Sequence, residues 1–216
     1  MAHIKDGILS PPIGKVGTVV GVRWRNKKIL RSLPTSNGKP ASEKQLLQRA
    51  KLTLVSRFLK TLKPFINNHI PPIQGKKSML TGTDQASSIL LKQGLDVIDN
   101  TPLLLINKVT VAIGILPVAH FKEIKLTEDK QVYLQWEDNS HNSLTNANDL
   151  LSVVFFHNQN NAFHIVENIG QREDEEGIVS LPKDWVIGIV HLWTVWTNQD
   201  KTLNSTSIYH KAIYLD

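Results

Sequence analysis

The sequence predicts an α+β protein, with an N-terminal β-hairpin and basic helix followed by a C-terminal immunoglobulin-like β-sandwich. Three patterns lead to this prediction. Residues 14–24 are β-branched and punctuated by glycine, and apolar residues recur every three or four positions over 47–62. Short β-rich segments separated by turn residues fill the chain beyond residue 101. We therefore expect a basic hairpin and helical region at 1–100 and a sandwich at 101–216.

The hairpin is predicted from residues 14–24, which form a first strand, and 29–33, which return after a turn and stop at Pro34. Alternation along the first strand predicts an apolar face and a cationic face. The apolar face is expected to contain Val20, Val22 and Trp24, and the cationic face Arg23 and Arg25. Burial of Trp24 follows, because an isolated hairpin is only marginally stable in water and must pack on something.

The basic helix is predicted to begin after Ser42, since Ser42 and Gln45 have the spacing of a capping box. Its apolar stripe is expected to contain Leu47, Ala50, Leu54, Phe58 and Leu62. Pro64 should end or kink the helix. A loop or linker is expected over 67–82, and a second helix over 84–93, closed by Gly94.

Eight strands are predicted in the C-terminal half, and their number and length are typical of an immunoglobulin-like sandwich. They are expected at 108–113, 120–126, 131–137, 150–157, 162–167, 177–181, 187–197 and 207–214. On the seventh of them, Trp193 and Trp196 fall on opposite faces. This pattern leaves two possibilities open, packing within the chain and contact with a second domain or subunit.

Charge is distributed unevenly. The first 64 residues contain fourteen Lys/Arg and two acids, a net charge of +12, whereas the remainder contains eleven and seventeen, a net charge of −6. Two interpretations follow: the two parts neutralise each other within one fold, or the basic part attracts polyanions or the acidic part of another copy.

The basic residues of the hairpin and helix are the candidate partner-binding residues. They are Arg23, Arg25, Lys27, Lys28, Arg31, Arg49, Lys51, Arg57, Lys60 and Lys63. A solvated or internally neutralised face, a protein or self contact, and a nucleic-acid contact all fit this pattern. Protein binding or self-association is the predicted function, and sequence-independent nucleic-acid binding is the alternative, because no nucleic-acid-binding motif is present.

No pattern predicts catalysis, a cofactor or a metal site. Gly14-Lys15 lacks the surrounding residues of a phosphate loop, and Ser36 and Lys39 form an S-x-x-K without its partner motifs. The eight histidines show no metal-ligand spacing, although His157 and His164 are expected on neighbouring strands, where they could meet. The acidic run 173–176 lacks the pattern of a calcium loop and is expected to be a solvated loop or to contact a basic surface.

Composition also bears on the compartment. The chain contains no cysteine, which excludes disulfides and thiolate chemistry. No apolar run approaches the ~20 residues needed to cross a bilayer, and the first ten residues do not have the pattern of a secretory signal. A soluble cytoplasmic protein without membrane insertion is therefore expected, and export by a signal-independent route stays open, since it would leave no trace in the sequence.

An ordered series of short motifs is similar to a known family. The series includes Gly7-Ile-Leu9, Gly14-Lys-Val-Gly17, Trp24, Arg31-Ser-Leu-Pro34, Trp136-Glu-Asp-Asn139 and Leu181-Pro-Lys-Asp-Trp185. Together these residues resemble an uncharacterised family of Bacteroidetes proteins of about this length, classed as a domain of unknown function. The chain departs from the family pattern at 10–13, where Ser-Pro-Pro-Ile replaces a glycine and a small polar residue. The resemblance implies a bacterial protein of one coherent architecture and supplies no activity, cofactor or site residue.

Overall fold

The computed structural model describes residues 2–3, 13–24, 27–35, 38, 40–75, 78–127 and 129–215. The chain divides into two compact units. The first unit contains residues 1–46 and 74–79, and the second contains 47–73 and 80–216. Most of the predicted helical region, residues 47–73 and 80–100, therefore belongs to the same unit as the strands beyond residue 101.

The first unit contains a four-stranded antiparallel sheet in the order β1-β4-β3-β2. Its strands are β1 (Ala2–His3), β2 (Gly14–Val16), β3 (Val19–Trp24) and β4 (Lys27–Ser32). The prediction of one strand over 14–24 was wrong, because the chain reverses at Gly17 and Thr18. Gly17 has a φ of +58°, a left-handed conformation that favours glycine, and Val16 pairs with Val19 across this turn.

The register of β3 and β4 corrects the predicted faces of the hairpin. Residues paired directly across two antiparallel strands point to the same side, and Trp24 pairs with Lys27 while Val20 pairs with Arg31. Lys27 and Arg31 therefore lie on the face of Trp24, so that face is not purely apolar. Trp24 is 46% exposed, which contradicts its predicted burial. Arg25 lies outside the described residues.

Helix α1 (Glu43–His69) begins where the capping box predicts. The Gln45 N–H donates to Ser42 Oγ at 3.4 Å, and the Ser42 N–H donates to Gln45 Oε1 at 3.2 Å. The helix does not end at Pro64 but continues for five more residues. A proline inside a helix costs ~3 kcal/mol, and the burial of Phe65 and Ile66 just beyond it offsets that cost.

Helix α2 (Gly82–Gln93) starts two residues before its predicted beginning because Thr81 caps it. Thr81 Oγ1 accepts from the Asp84 N–H at 3.3 Å, and the Asp84 carboxylate accepts from the Thr81 N–H at 2.9 Å. Gly94 follows the helix as predicted, but its φ of −105° requires no glycine. The requirement is steric, since a Cβ there would lie 2.2 Å from Leu90 Cδ1.

The predicted loop 67–82 contains the end of α1 and a two-stranded sheet of β5 and β6, followed by the start of α2. The remaining strands form a hairpin of β7 and β8, a three-stranded sheet in the order β13-β10-β9, and a four-stranded sheet in the order β12-β11-β14-β15. The strands are β5 (Ile73–Gln74), β6 (Met79–Leu80), β7 (Leu95–Ile98), β8 (Thr101–Leu104), β9 (Phe121–Leu126), β10 (Gln131–Trp136), β11 (Leu150–His157), β12 (Ala162–Val166), β13 (Glu176–Ser180), β14 (Gly188–Thr197) and β15 (Ile208–Leu215).

Seven of the eight predicted strands, β9 to β15, are confirmed with ends that differ by one residue at most. The eighth, predicted at 108–113, is wrong: this segment follows a 3₁₀ turn, Ile106–Lys108, and is irregular. Val111 and Ala112 are fully buried in it, so the pattern that predicts a strand arises from their place in the core. A mixed α+β fold with mostly antiparallel sheets is confirmed.

The four-stranded sheet of the second unit is covered on both faces. One core lies between it and the three-stranded sheet, where the rings of Trp136 and Trp196 meet edge to face at 5.6 Å. The other core joins its opposite face to α1 and α2, and there Trp193 and Phe156 pack with helical residues such as Phe58. Trp193 and Trp196 are both fully buried, so packing within the chain accounts for tryptophans on both faces of β14.

Helix α1 has the length needed to cross a bilayer, but it carries too many charged residues and too little apolar character. Among the described residues, no helix qualifies as a membrane span.

Candidate functional site

The face of the first unit's sheet that contains Trp24 combines an aromatic side chain with cations. We call it the Trp24 face. Val22, Trp24, Ile29 and Arg31 line a shallow cavity of about 250 Å³ on it. An exposed indole beside a guanidinium offers stacking and charge to a planar or anionic partner.

Sequence reasoning missed one member of the Trp24 face. Lys15 pairs with Val20 across β2 and β3, and Val20 pairs with Arg31 across β3 and β4. Lys15 and Arg31 therefore flank Val20 on the same side of the sheet. Lys15 can pair with Val20 only because the chain reverses at Gly17. A single strand over 14–24 therefore does not predict that Lys15 lies on the Trp24 face. Arg23 and Lys28 pair with each other on the opposite face, so the first unit has cations on both sides of its sheet.

Helix α1 separates its five candidate cations into different environments. At 100° per residue, Arg49, Arg57, Lys60 and Lys63 share the side away from the buried stripe, and all four are exposed. Lys51 lies on the side of the buried stripe and is partly buried. Arg57 lines an apolar cavity of about 690 Å³ in the second unit. Four of the five thus form one cationic helix surface.

The acidic run 173–176 forms an exposed surface on the second unit. A 3₁₀ turn, Arg172–Asp174, precedes β13, and the Asp174 carboxylate accepts from the Gln171 N–H at 2.6 Å. The Tyr133 hydroxyl donates to Glu176 at 2.8 Å, and this bond raises the pKa of Tyr133. Among the described residues, neither Glu173 nor Glu175 forms a side-chain ion pair. We call residues 173–176 the acidic surface.

The arginine next to the acidic surface does not neutralise it. Arg172 is fully buried, and its Nε donates to Asp149 Oδ2 at 2.8 Å. Its other guanidinium nitrogens donate to Asn139 and to the Pro117 carbonyl, and its Cζ lies 4.5 Å from the centroid of the Trp196 ring. The charge of Arg172 is therefore matched inside the unit, and the four acids face solvent without it.

The two histidines expected to meet are joined through a third ring. His157 stacks on Trp185 at 5.0 Å between ring centroids, and His164 approaches the same indole edge-on at 6.2 Å. His157 is buried, and its Nδ1 accepts from the Asn160 N–H while its Nε2 donates to the Ile187 carbonyl. Among the described residues, no group of three His, Asp or Glu side chains is placed to hold a metal ion.

Three other histidines are held in environments that disfavour their charged form. Burial lowers the pKa of His69 and of His191, and it lowers that of His210 to about 4. His210 Nε2 lies 2.7 Å from Thr194 Oγ1, and its ring meets Phe121 edge to face at 4.5 Å. The ring is therefore neutral in the folded protein at neutral pH.

This arrangement predicts a loss of stability on acidification. The unfolded chain takes up a proton at His210 near the ordinary pKa of 6.5, whereas the folded chain does so only near 4. The unfolded state thus binds more protons between these values, and stability falls as the pH drops through this window. We expect His210 to contribute about 2–3 kcal/mol to this loss. Urea unfolding between about pH 7.5 and about pH 4.5 measures this loss of stability. The upper limit lies about one unit above the ordinary histidine pKa, and the lower limit lies near the shifted pKa of His210.

The variant His210→Gln keeps a polar side chain that cannot titrate and should have a flatter stability profile over this range. His141, which is exposed, provides the matched control as His141→Gln. Equal pH profiles for the two variants would contradict the assignment.

Sequence reasoning also missed a polar pocket in the second unit, with a volume of about 280 Å³. It is lined by residues of α1, β11 and β14 and of the segments after β12 and β14, His69, Ser152 and Thr197 among them. These residues come from parts of the chain far apart in sequence and share no motif. No local signal in the sequence predicts this pocket.

The fold and these surfaces define an α+β protein with separate cationic and acidic regions. The chain belongs to a family of unknown function, DUF6266, which it matches over residues 11–211. The predicted membership of an uncharacterised family is thereby confirmed. Comparison with curated proteins and with solved structures gave no match.

Proposed function

We propose that this chain is a non-catalytic interaction or structural protein that self-associates, with the basic surfaces of one copy binding the acidic surface of another. The observation that carries the proposal is the difference in charge between the two units. The first unit contains eleven Lys/Arg and two acids, a net charge of +9, and the second contains fourteen and seventeen, a net charge of −3. Opposite net charges favour a head-to-tail contact between copies.

The local surfaces support the same proposal. Lys15 and Arg31 place cations on the Trp24 face, and Arg49, Arg57, Lys60 and Lys63 form the cationic side of α1. The acidic surface presents four carboxylates whose neighbouring arginine is matched by Asp149. Charges at such exposed positions steer association and respond to salt, since they are screened within ~10 Å at 0.1 M ionic strength.

The proposal extends to the immunoglobulin-like character of the second unit. Labelled A to G in chain order, β9 to β15 give one sheet of A, B and E and another of D, C, F and G. Immunoglobulin constant domains have A, B, E and D facing C, F and G, so only strand D changes sheet. Antibody domains join strands B and F by a disulfide, and here Trp136 on B contacts Trp196 on F. The aromatic pair links the same two strands in a chain without cysteine.

A source among the Bacteroidetes and a cytoplasmic location are part of this proposal. The motif resemblance favours the Bacteroidetes source. A protein that needs no disulfide to join its two sheets is suited to a reducing compartment, which favours the cytoplasmic location.

Size-exclusion chromatography with light scattering, at low and high salt, tests the proposed function. We expect particles larger than the 24.3 kDa monomer at low salt and their dissociation at high salt. The ratio of absorbance at ~260 nm to that at ~280 nm distinguishes bound nucleic acid from protein. We expect this ratio to be that of a pure protein. A monomer that is insensitive to salt at high protein concentration would contradict self-association.

Nucleic-acid binding is the second candidate, and the exposure of Trp24 favours it. An indole that is 46% exposed, paired with Lys27 across the strands and lining the same cavity as Arg31, resembles the stacking platforms that hold unpaired bases. Bound nucleic acid would be released by salt, and the logarithm of the affinity would fall linearly with the logarithm of salt concentration. A monomer that releases nucleic acid at high salt would support nucleic-acid binding and contradict self-association.

A further inference from the structure

The polar pocket of the second unit differs from a usual ligand pocket in the residues that line it. All eight of its lining residues have polar side chains, in a volume of about 280 Å³. Binding pockets are usually lined mainly by apolar and aromatic residues, with only a few polar groups. The composition of this pocket therefore favours a ligand that forms several hydrogen bonds.

One lining group is buried without a partner. Thr197 Oγ1 is inaccessible to solvent and forms no hydrogen bond in the described part of the chain. Burying a hydroxyl in this state costs free energy, and such groups in native structures call for an explanation. Rotation of the Thr197 side chain about χ1 would bring this covered hydroxyl to the pocket, where a ligand hydroxyl can pair with it.

One ring nitrogen of His69 is already hydrogen-bonded within the second unit. His69 Nδ1 donates to the Phe65 carbonyl at 2.8 Å, and the ring stacks on Phe65 at 4.0 Å. Burial lowers the pKa of His69, so the ring is neutral at neutral pH and Nε2 is an acceptor. Asn204 Nδ2 donates to the His69 carbonyl at 2.9 Å and fastens the segment after β14 to the end of α1.

Two opposite charges balance each other at the pocket. Lys201 Nζ lies 3.8 Å from Glu167 Oε2, and about half of each side chain is exposed. The remaining lining residues are neutral at neutral pH, so the pocket has no net charge with which to select a phosphate or a cation. Ser152 and His69 share no hydrogen bond among the described atoms, so an activated nucleophile is not assembled.

From these features we infer that the pocket binds a small, uncharged, polyhydroxylated molecule of the monosaccharide class. Sugar hydroxyls donate and accept at once, which suits a lining of hydroxyls, amides, a carboxylate and a neutral imidazole. The site belongs to the second unit alone and does not depend on the proposed self-association.

The test is a titration of the full chain with D-glucose, D-galactose and D-mannose, each followed by shifts of backbone amide signals. At least one sugar should shift signals near Ser152, near Glu167 and over 197–204, and leave those of the first unit unchanged. Glycine and inorganic phosphate serve as zwitterionic and anionic probes. Binding of either probe without binding of a sugar would overturn the inference, and so would the absence of any response to the sugars.

Two variants make the test specific. Thr197→Val removes the unpartnered hydroxyl at nearly constant volume, so we expect a higher Tm without sugar and an affinity lower by about five- to tenfold. Glu167→Gln should also weaken sugar binding, whereas Glu123→Gln, which alters an exposed Lys–Glu pair elsewhere on the second unit, should not. A lower Tm for Thr197→Val, or unchanged affinity in both pocket variants, would overturn the inference.

Discussion

Replacement of Arg172 by methionine is expected to lower the free energy of unfolding by about 3–5 kcal/mol. The substitution leaves Asp149 fully buried without its cation, since Arg172 Nε is the donor to Asp149 Oδ2 at 2.8 Å. Removing one partner of a buried ion pair costs more than the pair itself contributes, because the remaining charge has lost its water and its partner. The hydrogen bonds to Asn139 and to the Pro117 carbonyl are lost as well. Urea unfolding followed by circular dichroism measures the change.

Two comparisons identify the cause of that loss. The double variant Arg172→Met/Asp149→Asn should recover part of the stability, because it removes the unmatched charge. Lys125→Met breaks an exposed ion pair with Glu123 and should cost less than about 1 kcal/mol. A cost for Arg172→Met as small as that for Lys125→Met would show that the buried pair does not stabilise the second unit.

Replacement of Trp136 by alanine is expected to cost about 3–5 kcal/mol. Trp136 is fully buried between the two sheets, in edge-to-face contact with Trp196. Its Nε1 donates to the Arg172 carbonyl at 3.1 Å, so the change creates a cavity and also leaves a buried acceptor without this donor. Thermal unfolding should show the loss as a lower Tm of the second unit.

The exposed tryptophan of the first unit is the comparison. Trp24→Ala removes the same number of atoms from a position that is 46% exposed, and we expect a clearly smaller effect on stability. Comparable losses for the two variants would contradict the assignment of Trp136 to the core that joins the sheets.

Local patterns in the sequence predicted the strands of the second unit well. Strands β9 to β15 are rich in β-branched, aromatic and other apolar residues and are separated by turn residues, so their limits can be identified without tertiary information. The capping box at Ser42 is equally local, and it marked the start of α1. The break at Gly17 is local too, but a single glycine among several does not show that the chain reverses there.

Features that depend on register or on tertiary packing could not be predicted. Alternation on β3 placed Trp24 correctly relative to Val20, but only the pairing with β4 shows that Lys27 and Arg31 share its face. The apolar stripe of α1 was predicted, but not that its buried part lies in the second half of the helix, from Val55 to His69. The reason is that burial depends on where the sheet lies, and periodicity gives only the direction of the stripe.

The candidate sites differ in the same way. The charge difference between the two regions is a property of composition, and it was visible in the sequence. The polar pocket depends on Thr197 and His69, which are ordinary polar residues until the fold brings them together. Neither residue belongs to a motif, so only the structure identifies the pocket.

A charge-exchange experiment tests the proposed self-association most directly. One variant, Lys15→Glu/Arg31→Glu, reverses two charges on the Trp24 face, and another, Glu173→Lys/Glu175→Lys, reverses two on the acidic surface. Light scattering at low salt measures the mass of each variant alone and of an equimolar mixture. We predict that each variant alone is smaller than the wild-type particle and that the mixture forms larger complexes. Variants that associate like the wild type, or a mixture no larger than its components, would contradict association between these two surfaces.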